Sequence, residues 1–231
     1  MQAETDFTAS KAIRDERCKA KRKIIVPILK SMKYSKDTYI LAMPCLFGDE
    51  AYLPIQYGMP AQNLFALERE RDTHAEIFNC TRSDRSTLKG IQTTKKPMQA
   101  SKGIDEAYWT HSTKYDLIYL DYWSRLSYME HYRNSLLKIF TAKMLKDNGI
   151  LILTSGRNRC LKEAKAFNTD FLNALGKDIT ENINEELILA AMQEAKVKSE
   201  FKIKTVQYRS KSGNKDLLYT TTILKLKGET K

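Results

Sequence analysis

The chain has 231 residues, of which 42% are hydrophobic and 29% charged, enough apolar content to bury a large core and too much for a disordered polymer. No run approaches the roughly 20 apolar residues of a membrane-spanning helix, and the polar start Met1–Ser10 is unlike a secretory signal, so a cytoplasmic protein is expected. Lys and Arg exceed Asp and Glu by 39 to 28, a surplus that suits polyanionic partners, nucleic acid first among them.

From Ala9 to Met32, basic residues interleave with apolar ones at helical spacing, and Pro27 is expected to kink or interrupt that helix near its end. Residues 1–35 are therefore expected to form a basic N-terminal helical extension, followed by a single α/β domain over 36–231. Thr38–Met43 is a short apolar run that fits a strand buried on both faces. A turn at Pro44–Glu50 leads to a helix from Glu50 to about Tyr57, with Gly58 where a helix C-cap belongs. Asn63–Leu67 is a second strand ending on Glu68, and a helix is expected from Asp72 to Cys80.

Gly90–Thr94 reads as a third strand, residues 97–110 as a helix, and Tyr115–Leu120 as a fourth strand running into Asp121-Tyr122-Trp123. Ser127–Leu145 has the spacing of a long amphipathic helix, Asn148-Gly149 of a turn, and Ile150–Thr154 of a fifth strand. Ala190–Lys198 is expected to be helical, with strands at Phe201–Arg209 and Leu217–Lys227 joined by a loop over Ser210–Lys215. Strands alternating with helices predict a mostly parallel sheet with right-handed crossovers and helices on both faces, closed by an antiparallel hairpin.

Ligands of open α/β sheets bind beyond the carboxyl ends of the strands. The loops Pro44–Glu50, Glu68–Glu70 and Asp121–Trp123 should meet there. A carboxylate ending the second strand, Glu68, suits the two hydroxyls of a ribose. The first loop has only Gly48 and lacks G-x-G-x-x-G, which disfavours a nicotinamide or flavin dinucleotide. Cys18, Cys45, Cys80 and Cys160 are too irregularly spaced for a zinc motif or disulfide framework, and the three histidines are scattered, so no metal is expected.

This order of features resembles the class I S-adenosylmethionine-dependent methyltransferases over about residues 36–227. The resemblance implies a Rossmann-like, mostly parallel seven-stranded sheet and S-adenosylmethionine as cofactor. Pro44, Cys45, Gly48 and Asp49 would lie along its methionine part, Glu68 would hold the ribose hydroxyls, Arg69 would flank the adenine, and Thr93 and Thr94 would border it from another side. Amino-methylating members carry Asp, Asn or Ser, two prolines and an aromatic residue after the fourth strand. Here the segment is Asp121-Tyr122-Trp123, without the prolines. On that likeness Asp121 would position the acceptor, and Tyr122 or Trp123 would offer a stacking face to a base. Lys95, Lys96, Arg125 and the segment Ser155–Arg159 would form a basic rim. The resemblance implies methyl transfer to a nucleic acid; the competing reading is a catalytically inactive protein of the same fold that serves as a nucleic-acid or protein binding module.

Overall fold

A computed structural model describes residues 19–43, 49–68, 89–96, 98, 100–111, 114–122, 129–156, 183–212 and 215–227. Helix α1 occupies residues 19–31. It is followed by β1 (Ile40–Ala42), α2 (Asp49–Gln56), a 3-10 turn at Ala61–Asn63, β2 (Leu64–Ala66) and β3 (Gln92–Thr93). Then come α3 (Ala100–His111), β4 (Tyr115–Asp121), α4 (Met129–Thr141), β5 (Leu145–Gly156), α5 (Ile183–Glu194), β6 (Phe201–Ser212) and β7 (Lys215–Leu226). The expected helix at 72–80 lies outside the described residues.

The strands form one seven-stranded sheet in the order β3-β2-β1-β4-β5-β7-β6. β3, β2, β1, β4 and β5 run parallel, whereas β7 pairs antiparallel with both β5 and β6. The expected Rossmann-like sheet with a terminal hairpin is therefore present. Strand direction of travel across the sheet reverses between β1 and β4, which puts the switch point at their carboxyl ends.

Period-2 alternation divides the core between the two faces. Leu41, Phe65, Ile118, Leu120, Leu151 and Leu153 face α3, α4 and α5. Ile40, Ala42, Leu64, Ala66, Leu117, Tyr119 and Ile152 face α1 and α2 and pack with Ile25, Leu29, Ala51 and Met59. Gly103 of α3 lets that helix approach closely, because a Cβ there would stand 2.6 Å from Leu67 Cδ2.

Three expectations about element ends need correction. α1 continues past Pro27 to residue 31. The backbone bond that proline removes would run to the Lys23 carbonyl, and both residues are exposed, so water can serve that carbonyl. α4 stops at Thr141 and α5 spans Ile183–Glu194, not the predicted ranges. Both end as α2 does, in a Schellman-type pair of bonds. In α2 these are Met59 N–H to Pro54 O and Gly58 N–H to Ile55 O, with Gly58 at φ 99°. In α4 and α5 the left-handed position is held by Lys143 and Lys196 instead of glycine. The hairpin is also longer than expected: the ladder continues to the pair Ser212–Lys215, since main-chain pairing does not require apolar side chains.

Asn184, fully buried at the start of α5, fastens that helix to the sheet. Its Nδ2 donates to Leu153 O at 3.1 Å and Thr220 O at 3.0 Å, and its Oδ1 accepts from Ser155 Oγ. Asn184→Ala leaves three buried groups without this partner and is expected to lower stability by about 2–3 kcal/mol. Urea unfolding monitored by circular dichroism checks this, and a loss below about 0.5 kcal/mol would contradict the assignment.

Candidate functional site

Backbone hydrogen bonds carry the sheet ladder one step past the strand ends, so the loops leave from one shared edge. Met43 N–H donates to Tyr119 O at 2.9 Å, Leu67 N–H to Ala42 O at 2.8 Å, and Tyr122 N–H to Thr154 O at 2.9 Å. This edge brings together Glu68 after β2, Thr93 and Thr94 at the end of β3, Asp49 at the start of α2 and Asp121 ending β4. Pro44, Cys45, Gly48, Arg69 and Trp123, together with Arg125 and the segment 157–159, lie outside the described residues.

Glu68 is half-buried, and its carbonyl accepts from Met98 N–H at 3.1 Å. Thr93 Oγ1 donates to Ala66 O at 3.0 Å, tying the end of β3 to the end of β2. Thr94 is buried, its hydroxyl donating to Lys96 O at 2.8 Å. Lys95 and Lys96 are exposed beside it.

Helix α1 contributes to this edge in a way that the sequence pattern did not announce. Lys21 is 1% exposed, and its Nζ donates to Asp121 Oδ2 at 2.6 Å. The same ammonium lies 5.3 Å from the centroid of the buried Tyr119 ring, within cation–π range. Next to it, Arg22 makes an ion pair with Asp49, with one guanidinium nitrogen 3.0 Å from Oδ1. Neighbouring residues of α1 therefore hold two of the carboxylates predicted for the site. Glu50, the second residue of α2, is also buried here and acts electrostatically on Tyr119.

Lys21 was missed by sequence reasoning, and Glu50, the last residue of the expected loop Pro44–Glu50, was given no role of its own. A signal existed for Lys21: it stands four residues before Ile25 and eight before Leu29, on the stripe that packs against the sheet. A lysine on an apolar stripe must either snorkel to water or find a carboxylate.

Tyr122 is placed differently from its expected role. It is buried, and its ring stacks on Tyr132 of α4 with centroids 3.9 Å apart. Its ring is thus committed to the core beneath the edge and packs α4, because the ladder continues through Tyr122 and strand alternation puts it on the same face as Ile118 and Leu120.

Burial is the main cause of several raised tyrosine ionisations. It pushes Tyr119 well above its ordinary value near 10, with Asp121 and Glu50 adding to the effect and Lys21 opposing it. Tyr34, Tyr115 and Tyr122 are also raised, chiefly by burial. The folded protein then retains protons that the unfolded chain releases above about pH 10, so these tyrosines stabilise the fold fully below that pH and progressively less above it.

The sequence matches no family model and no curated protein. Solved structures do match. A protein assigned as an rRNA methylase from Clostridium thermocellum aligns over 88% of this chain and 93% of its own, at 11% identity and a TM-score of 0.50. The O-methyltransferase TomG from Streptomyces achromogenes, in complex with S-adenosylmethionine, aligns over 82% and 73% at 11% identity and 0.44. Aeropyrum pernix fibrillarin, with natively bound S-adenosylmethionine, aligns over 83% and 68% at 11% identity and 0.43. The chain has the class I methyltransferase fold, as strand order and the alignment at 0.50 show. No helix among the described residues is long and apolar enough to cross a membrane.

Tyr119 supplies a direct check. Phenylalanine keeps the buried ring and removes only the hydroxyl, so Tyr119→Phe should fold normally. Urea stability of the wild type is expected to fall as pH rises above about 10, and the variant should show a shallower fall. Equal slopes for the two proteins would contradict the burial of an unionised phenol beside Asp121.

Proposed function

We propose that this chain is an S-adenosylmethionine-dependent methyltransferase acting on a nucleic acid. One observation carries the reading: Glu68 and Asp121 close β2 and β4 on either side of β1, at the switch point of a class I methyltransferase sheet. The half-buried Glu68 carboxylate at the end of β2 suits a ribose, whose two hydroxyls are donors. Thr93 and Thr94 would border the adenine side, and Asp49, held in place by Arg22, the methionine side. The roles that the resemblance implies for Arg69, Pro44, Cys45 and Gly48 are part of the same proposal.

The cofactor supplies a methyl group on a sulfonium, which is a good leaving group, so the protein's contribution is mainly proximity and orientation. Asp121, fixed by Lys21, orders the acceptor by hydrogen bonding, and Trp123 is the aromatic residue proposed to stack on it. The chain's net charge of +11 and the exposed Lys95 and Lys96 near the edge favour a polyanionic acceptor. A second reading, a binding module without catalysis, draws on the same ion pairs. Asp49 and Asp121 are both already neutralised by α1.

Calorimetry with S-adenosylmethionine and its demethylated product separates the two. Binding of both is expected, and Glu68→Ala should weaken it by about 1–3 kcal/mol. No heat at millimolar ligand would overturn the enzyme reading, and an unchanged affinity in the variant would show that the ribose lies elsewhere.

A further inference from the structure

Between residues 19 and 36 every charged side chain is basic. With 3.6 residues per turn, Lys19, Lys23 and Lys30 fall within about 40° of one another on α1, on the side opposite Lys21, Ile25 and Leu29. Burial agrees with that geometry: Lys21, Ile25 and Leu29 are buried, and Lys19, Lys23 and Lys30 are exposed. The inner stripe builds the core and the site edge, and the outer ridge carries charge of one sign.

Several basic residues outside α1 are paired with carboxylates. Arg133 is paired with Glu194, Lys138 with Asp105, and Lys227 with Glu200. α1 has no acidic residue to offer its own lysines, and Lys19 and Lys23, four apart, repel each other. Charge balance within the helix therefore does not explain the pattern.

The ends of α1 give the ridge a direction. Lys21 and Arg22 lie at the carboxyl edge, on Asp121 and Asp49. At the other end Tyr34, which follows Lys33, stacks on Tyr57 with centroids 5.9 Å apart and rings nearly parallel. Tyr57 is 52% exposed, so its ring is open to a further planar group. From Lys19 to Lys30 the helix rises about 16 Å, a span of several nucleotides.

We propose that the outer face of α1, with Lys23 and Lys30 as phosphate contacts and Tyr57 as a base-stacking ring, is a docking track for single-stranded nucleic acid that leads to the Asp121 edge. It rests on the nucleic-acid part of the proposed function and adds the surface and the strand state. A row of lysines together with an exposed aromatic ring suits a flexible single strand, whose bases are free to stack.

The test is fluorescence anisotropy of a labelled 20-nucleotide mixed-sequence oligoribonucleotide against sodium chloride concentration. Wild-type affinity should fall steeply with salt. The exposed double variant Lys23→Gln/Lys30→Gln should bind about tenfold more weakly at low salt, with the log–log slope smaller in magnitude by about 1.4, at about 0.7 for each phosphate that the variant no longer neutralises. Tyr57→Ala should weaken binding without changing the slope. Unchanged affinity and slope in the double variant overturn the proposal, as does wild-type binding to phosphatidylserine vesicles with none to the oligonucleotide. The melting temperature of the Lys23→Gln/Lys30→Gln variant should equal that of the wild type. Calorimetry with S-adenosylmethionine on the same samples keeps the two readings apart. Track binding without cofactor binding leaves this inference standing and removes the enzyme, and cofactor binding with an insensitive double variant does the reverse.

Discussion

A lysine ammonium removed almost entirely from water has to find a carboxylate, and in this chain that carboxylate ends the fourth strand. The Lys21–Asp121 pair spans 100 residues of sequence and fixes helix α1 to the carboxyl edge of the sheet. Ile25 and Leu29 supply the apolar burial that holds α1 against β1, β2 and β4. That burial has no direction of its own, because the hydrophobic effect sets contact and not register. The ion pair sets the register. With it, Arg22 comes to Asp49 and Tyr34 comes to Tyr57, so α1 and α2 are tied at both ends.

The same pair bears on the proposed function. There the carboxylate at the end of β4 would order the acceptor, and it already holds an ammonium. Breaking such a pair by removing one partner strands a buried charge, so an acceptor is expected to bind beside the intact pair and not in place of Lys21. The basic extension expected over residues 1–35 is, from residue 19 onward, a wall of the domain in its packing, with its inner face in the core and its outer face toward solvent.

Much of the fold was legible because its signals are local and periodic. Apolar runs marked β1, β2, β4 and β5, and the order of strands and helices gave the parallel topology and the terminal hairpin. Gly58 announced the end of α2 because a left-handed residue is most easily a glycine. The ends of α4 and α5 went unread for the converse reason: Lys143 and Lys196 adopt the same backbone without the residue type that signals it. At the candidate site, the strand-end positions of Glu68 and Asp121 were legible because strand ends are visible in a sequence. Lys21 and Glu50 were not, since their meaning depends on long-range contacts that periodicity alone does not encode. Tyr122 was misplaced because an aromatic residue after a strand has the same spelling whether it turns toward a ligand or toward the next helix.

The most direct test of this account is a double-mutant cycle on Lys21→Met and Asp121→Asn, read by urea unfolding. Each single substitution should cost about 3 kcal/mol, and the double variant should recover much of that loss, giving a coupling of about 2 kcal/mol or more. Additive losses, with coupling near zero, would show that α1 is not held to the sheet edge by this pair and would contradict the central claim.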